Sequence, residues 1–181
     1  VKGDWAATEI DKFIQAGWSK KNLKHGADAK PEDLIRRLSF ALTGLPPTPE
    51  ESLAFTKATI VNRKSAIENA TDRLIASPHF GERWARHWMD WVRYAESLGS
   101  EGDPRIPHAN QYRNYLIRAL NADVPYDQLL REHIAGDLLP KPRINQELGL
   151  NESAIGAAHY RFFLQGFAPT DALDELVRTT E

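Results

Sequence analysis

At 181 residues the chain is long enough to bury a sizeable core, and its five Trp, five Tyr and seven Phe supply packing anchors that exclude a disordered chain. A formal charge of -2 excludes a general electrostatic pull toward nucleic acid or anionic membrane, and no apolar run approaches the roughly 20 residues that a membrane-spanning helix needs. The absence of cysteine excludes disulfides, thiolate-bound zinc or iron–sulfur centres, and covalent attachment of haem c to this chain.

Helical periodicity dominates. Ile10, Phe13, Ile14 and Gly17-Trp18 recur at helical spacing and predict a first helix between Ala6 and Trp18. The polar stretch from Asn22 to Lys30, with Gly26, reads as a loop. Pro31 suits a first helical position, Glu32 and Asp33 suit a helix N-terminus, and Leu34, Ile35, Leu38, Ala41 and Leu42 form an apolar face that stops at Gly44. Leu45-Pro46-Pro47 is an extended linker. Thr48-Pro49-Glu50-Glu51 predicts a capping box that opens a short helix through Phe55. Another helix spans about Lys64 to Ile75 and ends before Ser77-Pro78.

The segment from Pro78 to Ala95 is expected to be one helix. Along it Trp84, Trp88, Trp91 and Ala95 fall at i, i+4, i+7 and i+11 and form an aromatic stripe. That spacing reads as core, with Trp88 buried at its centre; stacking on sugar rings or nucleobases is the alternative use of such a stripe. Leu98 to Pro107 is a loop rich in Gly and Pro. Gln111 to Leu120 and Tyr126 to Ala135 read as two further helices, and Gly136 to Gly149 as irregular chain. Asn151 is placed to cap a helix through Phe163, and Thr170 or Asp171 to cap a last one. No repeat and no convincing strand pair is visible. The predicted fold is all-α: a compact multi-helix domain of about eight or nine helices with long Pro/Gly-rich loops.

Candidate chemistry gathers beside the tryptophan stripe. Arg83, His87, Asp90 and Tyr94 lie at i, i+4, i+7 and i+11, and Arg86, Asp90 and Arg93 form a neighbouring row. The His87–Asp90 spacing suits a carboxylate that orients an imidazole for general-base work. The competing expectation is structural: Asp90 pairs with Arg86 or Arg93, and His87 serves as an interhelix hydrogen-bonder. His133 and Asp137 form a second pair at i, i+4. Two imidazoles and two carboxylates would suit zinc or iron if the pairs met, but Gly136 is placed to end the helix first, and no metal site is assigned. His-Glu-x-x-His, a phosphate loop, a Gly-x-Ser-x-Gly elbow and a dinucleotide fingerprint are all missing. Trp5 and Trp18 are further stacking candidates, and Arg36-Arg37 is a basic pair diluted by Glu32 and Asp33. His108 shares a loop with Asp103 and Arg105.

Three blocks, taken together, resemble a known family. They are Leu34-Ile35-Arg36-Arg37-Leu38-Ser39-Phe40-Ala41-Leu42-Thr43-Gly44-Leu45-Pro46-Pro47-Thr48; Ser77-Pro78-His79-Phe80-Gly81-Glu82-Arg83-Trp84-Ala85-Arg86-His87-Trp88; and Arg118-Ala119-Leu120-Asn121-Ala122-Asp123 with Pro125-Tyr126-Asp127 and Ala135-Gly136-Asp137-Leu138-Leu139-Pro140. In this order they resemble the planctomycete cytochrome-associated domain of unknown function. The resemblance departs at Ala41, where an acidic residue is common, and at His133, where an amide is common. It implies a place in a large periplasmic or cell-envelope protein, with a cytochrome-c-like module before it and an uncharacterised domain after it. Asp174-Glu175-Leu176-Val177-Arg178-Thr179-Thr180 resembles the approach to a Cys-x-x-Cys-His haem-attachment sequence, so any haem c belongs elsewhere in the full-length protein. Residues 1–181 are accordingly expected to be one helical domain, a fragment of a larger polypeptide. Its expected partners are the other domains of that polypeptide or a cytochrome-like protein, with no nucleic acid among them.

Two functions follow as expectations. One is a non-catalytic module that positions or connects redox domains. The other is an enzyme or binding domain for an envelope or environmental polymer such as polysaccharide, with Arg83, His87, Asp90 and Asp137 lining its cleft.

Overall fold

The computed structural model describes residues 6, 8–24, 26–98 and 103–162. The chain is mostly helical, as expected. Seven α-helices are described, fewer than the eight or nine anticipated: α1 Glu9–Lys20, α2 Pro31–Leu42, α3 Pro49–Ile75, α4 Pro78–Trp91, α5 Ala109–Asn121, α6 Tyr126–Ala135 and α7 Glu152–Gly156. Short 3-10 turns follow α6 at Gly136–Leu138 and α7 at Ala157–Arg161. The helix expected from Thr170 or Asp171 lies outside the described residues.

Local chemistry accounts for several boundaries. Thr8 caps α1 reciprocally with Asp11, and Thr48 caps α3 in the predicted capping box with Glu51. Pro31, Pro49 and Pro78 each stand in the first turn of a helix, where a missing N–H breaks no bond. The two helices expected between Thr48 and Ile75 are both present as the arms of α3, separated by a kink at Asn62, whose φ of -153° and ψ of 103° leave the helical region. Asn62 Oδ1 accepts from Ser65 N–H and restarts the helix. The two arms then lie side by side, joined by the Arg73–Glu51 ion pair.

The expected strand-free chain needs one small correction. Ile144–Asn145 and Leu150–Asn151 pair antiparallel as β1 and β2, a two-residue ladder too short for hydrophobic alternation to signal.

α4 is shorter than expected. It ends at Trp91, and Arg93 takes a left-handed φ of 54°. Tyr94 N–H reaches back to the Met89 carbonyl at 2.9 Å and Arg93 N–H to that of Asp90 at 3.4 Å, the paired bonds of a Schellman stop. Tyr94 then stacks on Tyr112 and meets Phe162 edge-on. Its packing inward carries the chain off the helix, so Ala95 does not continue the stripe.

Two clusters of buried residues result. Ile35, Phe55, Ala66 and Ala70 pack α2 against α3. The main core surrounds α5: Tyr112, Tyr115, Leu116 and Ala119 meet Ala85 of α4, Leu129 of α6, and Ile106 and Phe162. Gly81 allows α4 to come this close. A Cβ there would lie 2.5 Å from the Ile117 carbonyl oxygen, and the Gly81 N–H instead donates to Asn121 Oδ1 at 2.8 Å.

α4 thus packs through its small residues, Gly81 and Ala85. This corrects the reading of the tryptophan stripe as core. Trp88 is half-buried, Trp84 is 40% exposed and Trp91 is 74% exposed. The first helix differs in the same sense: Ile10, Phe13 and Ile14 are exposed, and α1 buries no residue.

Candidate functional site

The polar groups of the molecule converge where α5, α6 and α7 meet. Glu132 occupies a core position of α6, one turn after Leu129, and is fully buried. Arg143 grips its carboxylate in a bidentate pair, with Nε to Oε1 at 3.1 Å and an Nη to Oε2 at 3.0 Å. Tyr115 Oη donates to the same carboxylate at 2.7 Å, Ser153 Oγ at 2.9 Å and Gln128 Nε2 at 3.1 Å. Burial alone would raise this carboxyl; the donors from Arg143, Tyr115, Gln128 and Ser153 outweigh it and hold the group below its ordinary range. The Arg143 guanidinium also lies 5.6 Å from the centre of the Tyr115 ring.

A second carboxylate repeats the arrangement. Glu152, at the start of α7, is buried and receives Arg118 of α5 in a bidentate pair at 2.6 and 2.9 Å, with Asn145 Nδ2 at 3.1 Å. All four carboxylate oxygens of this network accept from donors inside the chain. That is what a buried ionic cluster needs to persist, and it leaves neither carboxylate available as a general base.

His133 stands one residue further along α6. Its Nδ1–H donates to the Leu129 carbonyl at 2.7 Å, which leaves Nε2 as an acceptor. Trp88 Nε1–H reaches Nε2 at 2.8 Å and Tyr112 Oη lies 2.7 Å from it. Burial, chiefly, pushes this imidazole down to about 4; the Leu129 bond opposes the shift and the nearby His159 adds to it. The His159 ring lies 5.3 Å away, with Nδ1 held by the Gly156 carbonyl at 3.0 Å. Burial lowers its titration as well. Both imidazoles are therefore neutral at pH 7.

Beside this node runs an open groove of about 250 Å3, lined by Trp88, Trp91, Tyr126, Leu130, Ile134 and His159 among others. Its rim is exposed: Trp91, Tyr126 and Ile134 each leave more than half their surface to solvent.

The sequence-predicted candidates do not form a site. His87 is exposed and meets the Trp84 ring edge-on at 5.3 Å. Asp90 is exposed and is not seen to pair with Arg86, and Arg93 has left the helix. Arg83 lies over Gly44, and its buried Nε has no acceptor among the described residues. Asp137 is exposed in the 3-10 turn after α6, while His133 turns inward to Trp88 and Tyr112. The expected i, i+4 pair of His133 and Asp137 is therefore not made. No hydrogen bond or ion pair joins Arg83, His87, Asp90 and Asp137 to one another, and among the described residues no three His, Cys, Asp or Glu side chains form a metal-binding group. Trp18 is half-buried on α1, Arg36 and Arg37 are exposed on α2, and Trp5 lies outside the described residues. Asp103, Arg105 and His108 do come together, lining an open cavity of about 520 Å3 with Glu96.

Sequence reasoning missed the Glu132–Arg143 and Glu152–Arg118 network. The available signal was Glu132 itself, a charged residue at an apolar-face position of α6. Nothing local identified its partners. No helix among the described residues is long and apolar enough to cross a membrane.

Comparison with known proteins adds a family. The family model described as PSCyt2, protein of unknown function (DUF1549), matches residues 9–174. Among the curated proteins and the solved structures nothing matches. The match covers nearly the whole chain, and the chain belongs to the PSCyt2 family of unknown function.

Proposed function

We propose that the chain is a non-catalytic helical module of a larger, extracytoplasmic, cytochrome-associated protein, and that it packs against and positions neighbouring redox domains. The observation that carries this reading is the orientation of α4: it packs through Gly81 and Ala85 and turns Trp84 and Trp91 outward. Large exposed aromatic side chains beside Tyr126, Leu130 and Ile134 form the kind of surface that proteins use for contact with other proteins. The interior supports the same reading, since its carboxylates are paired with arginines and the free nitrogen of its central histidine is occupied by Trp88 and Tyr112. The cytochrome context and the cell-envelope location come from the sequence resemblance.

The test is hydroxyl-radical footprinting of Trp91 and Tyr126 in the isolated chain and in the longer polypeptide of which it is proposed to be part. Protection of both side chains in the longer protein, lost on introducing Ile134→Asp, is the expected result. Equal modification in the two contexts would overturn the proposal.

A further inference from the structure

Trp88 ties α4 to α6 through its bond to His133 and its ring contacts with His133 at 4.9 Å and Tyr126 at 6.0 Å. That tie depends on one atom. His133 Nδ1–H is committed to the Leu129 carbonyl, so Nε2 offers a single lone pair. Trp88 Nε1 and Tyr112 Oη both approach it. The two neighbours differ in what they can do when that lone pair is taken. A tyrosine hydroxyl can rotate and accept a hydrogen bond; an indole N–H can only donate.

We infer that the Trp88–Tyr112–His133 node is an acid-operated clamp: neutral His133 holds α4 to α6, and a proton on Nε2 evicts Trp88 while Tyr112 stays. Tyr112 Oη can accept from the protonated Nε2 and the Glu132 charge favours the cation, but nothing in the clamped geometry gives the Trp88 N–H a new acceptor. From α4 comes the Trp88 indole. From α5 come Tyr112 and Tyr115, the latter already donating to Glu132. On α6 itself the one nearby anion is Glu132, whose oxygens are taken by Arg143, Tyr115, Gln128 and Ser153. The turn after α7 brings His159, with the Tyr160 ring tilted against it at 4.2 Å, and His159 would add like charge at acid pH. Trp88 also lines the groove beside Trp91 and Tyr126, so its release changes the shape of that groove. The clamp operates within the chain whether or not the groove receives a partner.

The direction of the pH effect follows from the burial of His133. An unfolded imidazole titrates near 6.5 and the folded one at about 4. The clamp's stabilisation is therefore complete above about pH 6.5 and is lost as pH falls toward 4. Within that window the folding equilibrium constant drops about tenfold per pH unit from this group, about 300-fold in all.

The experiment follows the Trp88 indole N–H resonance of the 15N-labelled chain, assigned by its loss in Trp88→Phe, from about pH 7.5 to about 3, together with urea midpoints over the same range. The parent's midpoint is expected to fall across the window, and its Trp88 resonance to shift only as pH approaches 4, where the folded imidazole takes its proton. His133→Gln keeps an acceptor that does not titrate, and its midpoint should lose distinctly less. A Trp88 resonance unchanged down to about pH 3, or a His133→Gln variant that tracks the parent, overturns the clamp. If His133→Gln fails to fold, His159→Gln decides: removing the like charge should move the parent's resonance transition to higher pH, and a transition that stays in place overturns the inference.

Discussion

Removing the charge from Glu132 is the most direct test of the buried network. Glu132→Gln keeps the size of the side chain but leaves the Arg143 guanidinium without its counter-ion. The Arg143 side chain is only 28% exposed, so water replaces little of what is lost. Breaking one partner of a buried pair costs about 3–5 kcal/mol. The partial exposure of Arg143 and its contact with the Tyr115 ring place Glu132→Gln at about 3 kcal/mol, near the lower end. Arg143→Met should cost more, about 4–5 kcal/mol, because the carboxylate it abandons has no surface exposure. The double variant Glu132→Gln/Arg143→Met leaves no unpaired charge and should lose less than the sum, with a coupling of at least about 2 kcal/mol. Urea denaturation of the four proteins at pH 7 measures the cycle. Acid provides a second check. Glu132 is held below its unfolded value, so its contribution is present above the unfolded carboxyl range and is lost as pH falls through the folded value; the Gln variant should lack that part of the acid arm. Additivity within about 0.5 kcal/mol would refute the pairing argument.

Three other outcomes are expected. Trp88→Ala should cost about 3 kcal/mol and Trp91→Ala less than about 1, since Trp88 holds the His133 bond and Trp91 is mostly in solvent; equal costs in urea titrations would contradict this assignment. Gly136→Ala should destabilise by more than about 3 kcal/mol, because the new Cβ would fall 1.8 Å from the Ser153 carbonyl oxygen, and a folded variant with a parent-like thermal midpoint would show that the α6–α7 contact is misplaced. Asp123→Gly should stabilise by about 0.5–1 kcal/mol: Asp123 ends α5 at a left-handed φ of 48°, where glycine fits better and a carboxylate opposes the helix dipole, and a lowered midpoint would refute it.

Much of the fold was legible because its signals are local. Tyr126–Ala135 emerged with the predicted bounds, and the Thr48–Glu51 capping box with both of its bonds. The end of α4 was not legible, because the left-handed stop falls on Arg93 rather than on glycine, and long-range packing of Tyr94 against Tyr112 and Phe162 sets it. That one boundary also took Arg93 out of its helical row with Asp90. The tryptophan spacing indicated a helix face correctly but not which face packs; Gly81 and Ala85 decided that by allowing close approach to α5. The buried network was hidden for a different reason. Glu132 and Arg143 are eleven residues apart, and Arg118 and Glu152 thirty-four, separations at which no helical periodicity relates two side chains.

The α2–α3 layer has its own small cluster, Ile35 with Phe55, Ala66 and Ala70, apart from the larger core around α5. A layer secured by so few buried side chains is the natural place for sub-global opening. All five tryptophans lie outside Pro31–Ile75, at positions 5, 18, 84, 88 and 91. Intrinsic fluorescence is therefore largely blind to the loss of α2 and α3, whereas circular dichroism loses the signal of two helices at once. Denaturation curves recorded by the two methods should separate, with ellipticity falling first, and a single-probe fluorescence midpoint would report only the half of the molecule built around α5.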